Sequence, residues 1–239
     1  MNILSIGNSF SQDATRYLHQ IARADKESIT TVNLYIGGCP LSRHYRNMMS
    51  GERAYTLEFN GYSTGFNMSL SEALLSRDWD YVTMQQVSSR SNVYETYQPY
   101  LSALSDFVRE CAPKAKQTMH QTWAYEDGSK RLTEEMGYNT QSEMTADIKT
   151  AYEKAADDIA ADFIIPCGEV MQKLVDIGFG KVHRDTFHAS FGAGRYALGL
   201  AWYRRFTGND VMTNNFCDFD EEVTSEQINV IKKAVMEII

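Results

Sequence analysis

Ile3-Leu4-Ser5-Ile6-Gly7-Asn8-Ser9-Phe10-Ser11 opens the chain with an apolar run that stops at a glycine. A hydroxyl-bearing residue follows, and helical spacing then takes over at Ala14, Tyr17, Leu18 and Ile21. An apolar run ended by Gly reads as a buried strand entering a tight turn. Ligands of open α/β sheets bind at the carboxyl ends of the strands. Ser9 is therefore expected at the active edge of the sheet, beside a helix start whose free N–H groups favour negative charge. Taken alone, the same stretch is also what a strand-ending turn with a helix cap looks like, and Ser11 followed by Asp13 makes an equally good cap.

Outward from this turn, strands are expected at 2–6, 31–36, 80–85, 117–122 and 162–166. Helical patterns lie between and after them, at 12–24, 70–77, 97–111, 142–161, 169–177, 192–206 and 225–238. The alternation predicts a parallel sheet covered on both faces, with right-handed crossovers. One segment breaks it: Tyr55 to Phe59, then Asn60-Gly61, then Tyr62 to Phe66. Asn-Gly suits a type I′ turn, so this reads as an inserted β-hairpin, set beside the sheet or in a pocket wall. Without linker, repeat or low-complexity segment, residues 1–239 read as one domain.

Composition narrows the function. A net charge of −8, with scattered acidic residues, argues against nucleic acid or an anionic membrane as partner. The mild cluster at Asp218, Asp220, Glu221 and Glu222 reads as a solvated loop before the last helix. Cys39, Cys111, Cys167 and Cys217 are far apart, without zinc-finger spacing, and read as buried free thiols. No apolar stretch approaches the ~20 residues of a membrane span. With no basic region ahead of it, the first apolar run reads as a strand and not a signal peptide. A cytoplasmic location is expected of a chain complete at Met1; a secretory leader trimmed beforehand would leave no trace.

Ser9 needs a base to act as a nucleophile at neutral pH. The best placed one is in His183-Arg184-Asp185-Thr186-Phe187-His188, where Asp185 precedes His188 by three residues just before a helix. In a turn, that spacing lets the carboxylate fix the imidazole tautomer while the other ring nitrogen faces the serine. His183 competes, with no acid as well placed behind it. A metal site from His183, Asp185 and His188 lacks a ligand pair at helical spacing, so neither metal nor cofactor is expected.

Gly7-Asn8-Ser9 after the first strand, with Asp185-x-x-His188 near the end, resembles the SGNH (GDSL-type) hydrolase superfamily, in a branch with Asn8 where the family usually has Asp. The resemblance implies a three-layer α/β/α sandwich with a flavodoxin-like five-stranded parallel sheet, and metal-free Ser-His-Asp esterase or lipase chemistry. It also implies an oxyanion hole. The N–H groups of Ser9 and of a glycine after the second strand would contribute, and Gly37-Gly38-Cys39-Pro40 supplies Gly38. The family's Gly-x-Asn-Asp block after the third strand is replaced by Met84-Gln85-Gln86-Val87-Ser88, and Gln86 is expected to supply the amide donor, with Gln85 or Asn92 as alternatives.

Trp123, with His120 and Gln121, closes the fourth strand and is a candidate platform for a sugar or acyl group; Arg43 and His44 follow the glycine turn. With no long apolar lid, an O-acetyl ester of a carbohydrate or another small molecule is the expected substrate. The competing readings are a non-catalytic carbohydrate-binding module on the same fold, and a flavodoxin-like nucleotide or flavin binder. The latter needs a first turn richer in Ser, Thr and Gly.

Overall fold

Ile3, Leu4, Ser5 and Ile6 are buried whichever way their side chains point, which requires a strand covered on both faces. The computed structural model describes residues 1–239 and makes this strand, β1 (Asn2–Gly7), the centre of a seven-stranded sheet. The others are β2 (Thr30–Tyr35), β3 (Tyr55–Phe59), β4 (Tyr62–Met68), β5 (Tyr81–Met84), β6 (Lys116–His120) and β7 (Phe163–Ile165). Their spatial order is β4-β3-β2-β1-β5-β6-β7. β2, β1, β5, β6 and β7 run parallel, while β3 and β4 are antiparallel. The hairpin thus extends the sheet from its β2 edge and raises the strand count from the expected five to seven. Asn60 and Gly61 at its turn both have positive φ, as a type I′ turn needs.

Nine helices cover the sheet: α1 (Ser9–Thr15), α2 (Leu18–Ala24), α3 (Leu41–Ser50), α4 (Leu70–Leu75), α5 (Tyr100–Cys111), α6 (Gln141–Asp158), α7 (Cys167–Asp176), α8 (Ala193–Thr207) and α9 (Ser225–Ile238). α8 packs against α1, α2, α7 and α9, while α3, α4 and α5 pack on one another. α8 is buried nearly all round, as a helix without a polar face must be. The expected helix 12–24 starts earlier, at Ser9, and is interrupted at Arg16 and Tyr17. α3 was not expected: LSRHYRNMMS is mostly polar, and only Leu41, His44 and Asn47 turn inward. No helix is long and apolar enough to cross a membrane. Cys39 and Cys167 are buried, Cys111 is half-buried and Cys217 is exposed, a departure from four buried thiols.

His44, His120 and His183 lie in the interior, not at a substrate surface. Burial pushes His44 and His120 down to about 3 and His183 to about 4. Each stays neutral in the folded protein while the unfolded chain protonates near 6.5, so stability is complete above that value and falls as pH drops toward the folded values. Each histidine costs at most ~1.4 kcal/mol per pH unit across that window, and the three together roughly 4. The urea midpoint should therefore fall steeply from pH 6.5 to pH 5; a flat profile would contradict three neutral buried imidazoles.

Candidate active site

The β1 strand can hand over to α1 only through a residue without a side chain: a Cβ on Gly7 would lie 1.9 Å from Ser11 Oγ. Asn8, not Ser11, is the cap. Its Oδ1 accepts from the N–H of Phe10 at 3.0 Å, and Ser11 Oγ returns the contact by accepting from Asn8 N–H at 3.1 Å. Ser9 is thereby the first helical residue, and its own N–H has no acceptor within the helix.

The structure brings Ser9, His188 and Asp185 together. Ser9 Oγ lies 2.9 Å from His188 Nε2, and His188 Nδ1 lies 2.8 Å from Asp185 Oδ2. Asp185 Oδ1 also accepts the backbone N–H of His188 at 2.9 Å, so one carboxylate sets both ring and main chain. Burial raises the Asp185 carboxyl, but the ring and backbone hydrogen bonds from His188 outweigh it and hold the group below its ordinary value. His183 is turned away from Ser9, with Nε2 3.1 Å from the Ala124 carbonyl.

The segment carrying His188 is clamped from several sides. Ser190 N–H donates to Val182 O and Arg184 N–H to His188 O, closing a loop whose tip, Thr186, has a φ of 74°. Asp13, one helical turn beyond Ser9, is wholly buried beneath it. Its carboxylate takes Arg184 at 2.8 and 3.0 Å, Arg195 Nε at 2.8 Å and the Ala189 N–H at 3.2 Å. Arg195 and Arg16 also hold Asp220, so the acidic cluster read as a solvated loop is in part a structural tie.

Trp123 belongs to this support and not to the substrate surface. It is fully buried, stacks on Phe10 at 4.1 Å and donates Nε1–H to Phe187 O at 2.7 Å. Helix α1 and the loop bearing His188 therefore rest on one indole. His120 and Gln121 are buried as well, His44 lies under Tyr55, and exposed Arg43 stays outside the cleft.

Gln86 does not reach the cleft either. Its Oε1 accepts from Leu41 N–H at 3.0 Å and from Val87 N–H at 2.9 Å, while Nε2 donates to Thr96. Its amide is spent tying the end of β5 to the start of α3, just beyond the Gly37-Gly38 turn. Asn92 donates to Tyr138 OH at 2.9 Å. Gln85 donates Nε2–H to Asn8 Oδ1 at 2.7 Å, and Asn8 Nδ2 donates to Cys39 O at 3.2 Å. The wall expected to carry an amide presents Val87, Ser88 and Ser89 instead, with Ser88 Oγ 3.0 Å from Tyr125 OH.

Directions in this amide chain follow from one backbone donor. Phe10 N–H fixes the oxygen of Asn8, so Gln85 must point its NH₂ at it and its Oε1 at His120, 2.7 Å away. His120 Nδ1 then carries the proton, and its buried Nε2 is left without a partner. Asparagine at position 8 has a physical reason here. An ionised Asp would set an acceptor against the Cys39 carbonyl, at the turn bearing Gly38.

Ser9, Gly38 and His188 face one cleft of about 450 Å³, with Tyr35, Tyr125, Arg131, Arg184 and Phe187 in its walls. Gly38 has a φ of 59°, a conformation that suits glycine, and its N–H is free of any hydrogen bond within the protein. A larger, open cavity of about 800 Å³ lies elsewhere, along β7 and α6, and holds none of these groups.

The chain belongs to the family described as Domain of unknown function (DUF4886), which matches residues 2–238. A DUF4886 family protein from Bacteroides uniformis has 31% identity to it and a TM-score of 0.92, over 99% of this chain and 93% of that one. A candidate SGNH hydrolase from Slackia heliotrinireducens shares the fold at 21% identity, TM-score 0.59, over 86% of this chain and 98% of that one. A candidate GDSL-like lipase from Parabacteroides merdae does so at 14% and 0.58, over 87% and 95%. The architecture is thus the α/β fold of SGNH-hydrolase-like proteins. No curated protein matches the chain in sequence.

Two predictions test this support. Asn8→Asp should destabilise by ~1–3 kcal/mol at pH 7, with the gap to wild type narrowing toward pH 4. A buried carboxyl here has its value raised, so its protonated form, which can donate to Cys39 O, is the tolerated one. Paired urea titrations at both pH values measure this. Asp13→Ala should cost ~3–5 kcal/mol, because it removes the carboxylate of Arg184 and one of the two on Arg195; a loss under 1 kcal/mol in chemical denaturation would refute the clamp.

Proposed function

We propose that this protein is a serine ester hydrolase working through Ser9, His188 and Asp185. The single observation carrying the reading is the unbroken line Asp185–His188–Ser9, with contacts of 2.8 and 2.9 Å at the mouth of a cleft. Ser9 Oγ attacks the ester carbonyl as His188 Nε2 takes its proton, and Asp185 stabilises the imidazolium. The N–H groups of Ser9 and Gly38 hold the oxyanion; one such donor is typically worth ~3–4 kcal/mol in the transition state. The C–O bond then breaks and the leaving alcohol takes the proton from His188. Water attacks the acyl-Ser9 carbonyl, passing a proton to His188, and the acid departs as Ser9 Oγ is reprotonated.

The cleft suits a small ester better than a long acyl chain. Its walls mix hydroxyls and guanidinium groups with a few aromatic rings. An O-acetyl group on a carbohydrate or similar polar alcohol remains the favoured substrate.

The test uses an activated acetyl ester and a fluorophosphonate probe. Ser9→Ala and His188→Ala should each lower turnover by roughly ten-thousand-fold or more with the fold intact, and Asp185→Asn should lower it substantially. The probe should label Ser9 in wild type and not in His188→Ala. Wild-type turnover in Ser9→Ala would overturn the assignment, and folded wild type that takes no label and binds sugar would favour a non-catalytic module.

A further inference from the structure

Arg131 is the arginine of the cleft that has no buried carboxylate as partner. It opens a single π-helical turn (Arg131–Glu135). Its guanidinium lies 3.9 Å over the Phe187 ring centroid, and that ring is 3.8 Å from the His188 imidazole. One aromatic ring therefore separates the guanidinium from the base. The carboxylate within ion-pair range is Glu135, 4.0 Å away and largely in solvent. Exposed pairs at that distance hold little energy.

The other arginine in the cleft differs. Arg184 is committed to the buried Asp13 carboxylate at 2.8 Å. Fifteen residues line the cleft, two of them arginine and none aspartate or glutamate, in a chain of net charge −8. Asp185 stands behind His188, outside that lining. The Tyr35 hydroxyl, also in the wall, has no hydrogen-bond partner and adds a neutral donor. A guanidinium stacked on a ring keeps its planar edge free, and that edge matches the two oxygens of a carboxylate or sulfate.

We propose that Arg131 recognises an anionic group on the substrate, so that the ester cleaved at Ser9 carries a carboxylate or sulfate close to the scissile carbonyl. The proposal rests on the esterase reading of Ser9. Four activated esters separate the sources of charge. 4-Nitrophenyl acetate is neutral, mono-4-nitrophenyl succinate carries the anion on the acyl side, and 4-acetoxybenzoate and 4-acetoxyphenyl sulfate carry it on the alcohol side. Rates are divided by the hydroxide-catalysed rate of each ester, with phenyl acetate as the neutral reference for the last two.

Wild type should favour at least one anionic ester over its neutral reference by about tenfold or more in kcat/KM. Arg131→Met should cut that preference by about tenfold, and Arg131→Lys should keep part of it, since it retains charge without the planar fork. Equal preferences in wild type and Arg131→Met would overturn the proposal. Benzoate titrated calorimetrically into Ser9→Ala, with and without Arg131→Met, reads the anion site without turnover. No ester cleaved, with benzoate binding still lost on removing Arg131, sinks the esterase reading alone. Ester cleavage without charge preference, and equal benzoate binding in both proteins, sinks the anion site alone.

Discussion

A buried carboxylate, Asp13, holds the two ends of this chain together. Ser9 and Asp13 stand one turn apart on α1, so they share a face of that helix. Ser9 meets His188, while Asp13 meets Arg184, Arg195 and the Ala189 N–H around it. A wholly buried charge is tolerated only when paired and hydrogen-bonded, and here both carboxylate oxygens are occupied. Closing a loop of more than 170 residues between α1 and the His188 segment carries an entropic cost. The short range and fixed direction of these contacts confine that closure to one geometry.

A second constraint sets the floor of the cleft. Three consecutive strand ends contribute Asn8, Gln85 and His120, whose side chains donate in one direction through the sheet edge to the Cys39 carbonyl. Gln86 performs a parallel task, bracing Leu41 and Thr96. Amides can donate and accept at once, so they suit a relay that carries no charge through a dry interior. The turn with Gly38 is thus held at its far side by Asn8 and at α3 by Gln86. It needs no support from the cleft itself, where its N–H stays free.

Much of the fold was legible because its signals are local. Apolar runs punctuated by Gly, and the Asn60-Gly61 turn, depend on near neighbours in the chain, and the hairpin and parallel strands fall where they were expected within a residue or two. α3 carries no comparable local signal, because only one narrow stripe of it is buried and its remaining residues have the composition of a loop. Joining the hairpin to β2 depends on hydrogen bonds from a distant strand edge, which no local pattern records. Trp123 reads from sequence as a candidate platform; Phe10 and Phe187 closing over it make it a core residue instead.

The same division runs through the site. That Ser9 follows the first strand at the turn into a helix, that Asp185 can reach His188 across three residues, and that a glycine turn ends the second strand can all be read along the chain. These are matters of spacing along the backbone. Where the long side chains go depends on contacts between distant parts of the chain. A glutamine or arginine spans several bonds, and its head group settles wherever burial and hydrogen bonding are best satisfied. That is why Gln86 turned from the cleft to Thr96, why Asp13 and Arg184 found each other, and why Arg131 came to lie over Phe187 beside His188.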